Sequence, residues 1–191
     1  IAKNYLSLNF VFCNSTDLDI SNKENCQAVF RKIKPDFCIN AAAYTAVDKA
    51  ESEQYKAELI NVIGAKNLAE TCNELDAKLI HISTDFVFDG LAGPYTESDQ
   101  PNPLSVYARS KVEGENIVQQ LEGLSYSIVR TIIVYGKGEQ LSRSNLILWA
   151  KEALEKGNPL RIDSLAQLAS PGLLFVTCPI EVPIGGYTAE V

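Results

Sequence analysis

The chain has 191 residues, 46% hydrophobic and 21% charged, enough for one sizeable globular domain and a fraction of another. A net charge of −7 and a pI near 4.8 speak against a nucleic-acid or anionic-membrane surface, and no apolar run reaches the roughly 20 residues of a membrane span. Cys13, Cys26, Cys38, Cys72 and Cys178 are scattered without a CxxC pair, and His81 is the single histidine. This argues against a zinc site and for reduced thiols in a cytoplasmic protein, most of them small core residues. The chain has no Met and opens on Ile1 within what reads as a helix tail, so the natural polypeptide is expected to be longer.

In chain order, Leu8 to Cys13 (LNFVFC) reads as a short buried strand and Asn14 to Asp17 as a turn. Ser21 with Glu24 forms a capping box for a helix through about Ile33, which Pro35 ends. Phe37 to Asn40 is a second short strand. Ala46 to Leu75 carries one short and one long helix, with Ile60, Ile63, Leu68 and Cys72 on the inner face. Ala77 to Ser83 is a strand, and Pro103 to Leu121 a helix led in by Pro101-Asn102-Pro103. Ser125 to Val134 is β-branched and reads as a strand; Ser144 to Lys156 is an amphipathic helix closed by Gly157. Strands alternating with helices give an α/β fold on a parallel sheet. The polar sets at Asn14-Ser15, Asn40 to Thr45 and Ser83 to Asp85 follow apolar runs, so they gather at one sheet edge, where ligands of such folds sit. The organisation is a domain over 1–160 and a partial lobe over 161–191.

The chemistry concentrates between Leu79 and Glu115. Tyr107 and Lys111 are four residues apart and share a helix face. Alone, such a pair describes many helices, with a half-buried Tyr beside a solvated Lys. Here Thr84 stands at a strand end nearby, and the small residues Ala41 to Ala43 follow the preceding strand, where a cofactor backbone could come close. A free Tyr titrates near pH 10. An adjacent ammonium is expected to lower that value, so that Tyr107 can protonate a carbonyl oxygen while Thr84 bonds the same oxygen. Asp85 and Asp89 either position substrate hydroxyls or cap turns. Asn61 either bonds across helices or is solvated. His81 reads as structural, and Trp149 as core. No GxGxxG or GxxGxxG phosphate loop occurs, and the sequence is expected to begin after it. Asn14 stands where an acidic residue would hold an unphosphorylated ribose, which leans toward NADPH.

Longer motifs carry a resemblance. Asn40 to Glu51 (NAAAYTAVDKAE), Ser83 to Gly90 (STDFVFDG), Pro94 to Glu97 (PYTE), Tyr107 to Glu115 (YARSKVEGE), Arg130-Thr131 and Val134-Tyr135-Gly136 together resemble the dTDP-4-dehydrorhamnose reductase family of extended short-chain dehydrogenase/reductases. The resemblance implies a Rossmann-like, doubly wound parallel sheet, NADPH or NADH as cofactor, and a 4-keto nucleotide sugar as substrate. Thr84, Tyr107 and Lys111 match its active-site motif. Asp19, Ile20, Ala42, Ala43 and Thr45 match cofactor-contacting positions, with Lys111 also holding the nicotinamide ribose. Thr84 and Asp85 match positions that touch substrate. Mg²⁺ serves some reductases of this type, though no motif here speaks for it, and a homodimer is the self-association kept open. Two other readings stand beside the reductase. In a related epimerase or dehydratase, the dehydratases tend to place Asp-Glu after the Thr, whereas Asp85 is followed by Phe86. A regulatory module resembling the β subunit of methionine adenosyltransferase would not need the Thr84/Tyr107/Lys111 set.

Overall fold

The computed structural model describes residues 8–132 and 175–177. Its first helix, α1 (Lys23–Ile33), starts one residue later than the capping box implies. Asn22 is the N-cap and accepts from the Asn25 amide, because Ser21 is drawn back to Asp19, whose carboxylate takes both its amide and its hydroxyl. The helix ends at Lys34 in the left-handed region, φ 52°, ahead of Pro35.

Strand β1 (Phe37–Asn40) follows, then α2 (Val47–Ala50) and α3 (Gln54–Glu58). Helix α3 runs on through a π-turn (Leu59–Ile63) into α4 (Gly64–Glu74), which gives the expected short and long helices. A π-turn adds residues to a turn and shifts the helical phase. That phase shift corrects the predicted inner face. Leu68 and Cys72 are buried, but Ile63 is 37% exposed and Asn61 and Val62 turn inward instead.

Strand β2 (Lys78–Thr84) places Thr84 at its carboxyl end. Helix α5 (Val106–Gln120) has Ser105 as its N-cap and does not begin at Pro103. Ser105 accepts from the Ala108 amide, while the two prolines hold the preceding backbone out of the helical region. Strand β3 (Tyr126–Thr131) pairs with β2, and β4 (Phe175–Thr177) pairs antiparallel with β3.

The sheet order is β1-β2-β3-β4, with β1, β2 and β3 mutually parallel and flanked by helices, an α/β Rossmann-like fold. Its core joins Cys26 and Phe30 of α1, Leu68 and Cys72 of α4, Leu79, Val118 and Ile128. Cys38 is half-buried beside them, and Cys13 is exposed.

Leu8 to Cys13 corrects another expectation. The run is not a strand, and Leu8, Val11 and Phe12 are each more than half exposed. A strand exists only through a neighbour's ladder of hydrogen bonds, and among the described residues β1 pairs with β2 alone. The helix predicted at Ser144 to Lys156, Trp149, Val134 to Gly136, Cys178 and most of 161–191 lie outside the described residues.

Helix α5 approaches the π-turn at Gly114, where a Cβ would stand 2.5 Å from the Asn61 carbonyl oxygen. Gly114→Ala is therefore expected to lower stability by about 1–3 kcal/mol. Urea unfolding of the two proteins checks this, and equal midpoints would show that the contact yields freely.

Candidate active site

Three parallel strands end on one edge, so the residues at their carboxyl ends meet there. Thr84 on β2 pairs in register with Thr131 on β3, and Asn40 on β1 with His81. A cleft of about 290 Å³ opens at this edge, lined by Ala41, Ala43, Thr45, Val47, Ile82 to Phe86, Tyr107, Lys111, Thr131 and Ile132. Thr84, Tyr107 and Lys111 thus share one cleft, although Tyr107 stands 23 positions after Thr84 in sequence.

Tyr107 is 8% exposed, and its ring meets Phe86 edge-on at 6.0 Å. Burial holds its hydroxyl above the ordinary phenol range, a hydrogen bond with Thr84 opposes the shift, and the Asp85 charge adds to it. The expected lowering of Tyr107 by Lys111 is thus overturned. Removal from water outweighs the favourable neighbours, so Tyr107 keeps its proton at neutral pH. Lys111 is 2% exposed and donates to the Ile82 carbonyl at 2.8 Å. Burial lowers it to about 8, against an upward pull from Glu115.

Asp85 lines the cleft, accepts from Thr84 Oγ1 at 3.2 Å, and is raised by burial. Asp89 takes the turn-capping role: it accepts from the Tyr95 hydroxyl, the Leu91 amide and Asn102 Nδ2. Of the positions matched to cofactor contact, Ala43 and Thr45 line the cleft. Ala42 lies between the cleft-lining Ala41 and Ala43, its amide donating to Asn40 Oδ1 at 3.2 Å. Asp19 and Ile20 are not cleft-lining. Asp19 holds the Ser21 turn, and Ile20 packs in the core against Gly64. Asn14 caps its own turn through Thr16 and Asp17.

Asn61 bonds across elements, as one of its two readings held. It accepts from the Tyr44 amide at 2.8 Å and donates to the Tyr44 carbonyl and to Ser110 Oγ at 2.9 Å. This clamps the loop after β1 to the helix that carries Tyr107 and Lys111. His81 is buried and neutral, pushed down to about 3, and its Nδ1 sits 3.1 Å from Asn40 Nδ2. That contact makes Nδ1 the acceptor and places the ring proton on Nε2.

A network that residue types alone did not single out lies beneath the cleft. Glu115 and Arg130 form a buried ion pair at 2.7 Å, and the Ser83 hydroxyl donates to the same carboxylate. The available signal was the spacing of Glu115, four residues past Lys111 on the same helix face.

An α/β dinucleotide-type fold with Thr, Tyr and Lys gathered at the strand ends defines a class of short-chain dehydrogenase/reductase architecture. Comparison with known proteins narrows it. Residues 2–171 match the family model described as RmlD substrate binding domain. The chain is 44% identical over 146 residues to the dTDP-4-dehydrorhamnose reductase of Escherichia coli (strain K12), covering 74% of this chain and 48% of that one. A dTDP-4-dehydrorhamnose reductase structure from Clostridium acetobutylicum superimposes with a TM-score of 0.73 at 40% identity, over 81% of this chain and 54% of that one. One from Bacillus anthracis, solved with NADP, gives 0.71 at 37% identity, over 81% and 56%. The chain belongs to the RmlD-like family of extended short-chain dehydrogenase/reductases. It spans about half the length of the curated relatives it matches.

Proposed function

We propose that this protein is an NAD(P)H-dependent reductase of a 4-keto nucleotide sugar, of the dTDP-4-dehydrorhamnose reductase type. The observation that carries the reading is the meeting of Thr84, Tyr107 and Lys111 in one cleft that Ala41, Ala43 and Thr45 also line. The cleft suits a nicotinamide dinucleotide: the two alanines present only methyl groups, and the buried Lys111 ammonium offers donors to a ribose. Bound there, the reduced dinucleotide supplies the hydride. Thr84 hydrogen-bonds the keto oxygen and holds it beside Tyr107. Tyr107, protonated at neutral pH, delivers its proton to that oxygen. Lys111 supplies positive charge as the phenolate forms. Asp85, beside Thr84, is placed to orient the sugar. Asp19, Ile20 and Ala42 keep their assignment to cofactor contact by resemblance alone.

The test is nicotinamide absorbance with dTDP-4-dehydrorhamnose, using NADPH and NADH in parallel. Substrate-dependent oxidation supports the reading; cofactor binding without oxidation of either cofactor would sink it. The pH profile adds a sharper expectation. Tyr107 is held above the phenol range, so the first of the pair to lose its proton as pH rises is Lys111. Its charge is present below pH 8 and lost above it. Accordingly kcat/KM should fall on the alkaline side with a midpoint near about 8, and a flat profile to pH 10 would refute the role given to Lys111.

A further inference from the structure

We propose that Glu115 is a positioning residue of this site: its buried carboxylate ties the ends of β2 and β3 to α5 and sets a negative charge one helical turn from Lys111. The inference rests on the reductase reading. Glu115 is 1% exposed. From β2 it accepts the Ser83 hydroxyl. From β3 it accepts Arg130 Nε, 3.1 Å from both oxygens, and Nη2 at 2.7 Å. Ser83 directly precedes Thr84, and Arg130 directly precedes Thr131; both threonines line the cleft. One carboxylate therefore joins the three elements that carry Thr84, Thr131 and the Tyr107/Lys111 pair, without itself lining the cleft.

The charge matters because Lys111 has so little else. Among the described residues its ammonium donates to one carbonyl, that of Ile82. The titratable groups near it, again among the described residues, are Glu115 on α5, His81 on β2, Tyr107 and Asp85 in the same cleft, and, beyond Glu115, Arg130 on β3. His81 is neutral, Tyr107 keeps its proton, and Arg130 is a cation already held by Glu115. Glu115 is the group whose charge favours the ammonium against burial. Without it, Arg130 would be left an unpaired buried cation and Lys111 would lose the charge that opposes its burial.

The experiment compares wild type, Glu115→Gln, Glu115→Asp and Ser83→Ala. Lysine side-chain NMR titration without cofactor reads Lys111 directly. Its midpoint, near about 8 in wild type, should fall by about one pH unit or more in Glu115→Gln and return toward wild type in Glu115→Asp. The alkaline limb of kcat/KM should move with it. In Ser83→Ala, which keeps the ion pair, kcat should drop by about fivefold or more with KM unchanged. A folded Glu115→Gln protein with an unmoved lysine midpoint overturns the proposal. Should that variant not fold, Ser83→Ala decides, and an unchanged kcat overturns it. Failure of the reductase reading looks different: wild type would not turn over, while the lysine titration would still report on Glu115.

Discussion

Tyr107→Phe is expected to reduce turnover of the keto sugar by about 10²- to 10⁴-fold, with cofactor affinity changed by no more than a few fold. In free energy that is about 3–5 kcal/mol of transition-state stabilisation. The substitution is clean because the ring stays. Its edge-on contact with Phe86 and its place in the cluster with Ala50 and Ala57 do not involve the hydroxyl. What is lost is the hydroxyl proton that Tyr107 holds at neutral pH beside Thr84. Asp85 is the other acidic group at Thr84: burial raises its carboxyl, and it accepts from Thr84 Oγ1. Running Asp85→Asn beside Tyr107→Phe separates the two. If Tyr107 is the acid, Asp85→Asn should act mainly through KM and Tyr107→Phe through kcat. The reverse pattern would transfer the proton to Asp85. Steady-state kinetics at saturating cofactor gives both parameters.

Much of this architecture was legible because it is written locally. Alternation of apolar runs and helical faces gave β1, β2, β3 and α5. The i,i+4 spacing of Tyr107 and Lys111 put both on one helix face, and parallel strands then had to bring Thr84 to the same edge. The misreadings arose where local pattern does not decide. Leu8 to Cys13 has strand composition, but pairing depends on a partner elsewhere in the fold. Ile63 has helical spacing, but the π-turn shifts it outward. Ser21 and Asn22 are both competent caps, and the Asp19 side chain settled which one was free to act. The Tyr107 ionisation was misjudged because sequence shows the neighbouring charge and hides the burial that outweighs it. Arg130 and Ser83 reach Glu115 through tertiary contacts that no window of sequence displays.

Arg130→Leu should destabilise the fold by about 3–5 kcal/mol, because it strands the Glu115 carboxylate in a dry interior. The side chains of the pair are 4% and 1% exposed, so water cannot take the guanidinium's place. The double variant Arg130→Leu/Glu115→Leu is expected to recover most of that loss, and chemical denaturation of wild type, Arg130→Leu, Glu115→Leu and the double variant gives the coupling. The reason lies in how incompletely the pair is satisfied. Among the described residues Arg130 Nη1 is buried without a hydrogen-bond partner, and the guanidinium otherwise rests 5.2 Å from the centre of the Phe88 ring. Two ions removed from water with one donor left over gain little net stability over apolar side chains of similar volume. If the double variant is near wild type in stability but impaired in turnover, the ion pair serves placement: it sets the strand ends under Thr84 and Thr131 and the charge beneath Lys111. If the double variant is as unstable as Arg130→Leu alone, the network is a net source of stability and its place beneath the cleft needs no catalytic reason.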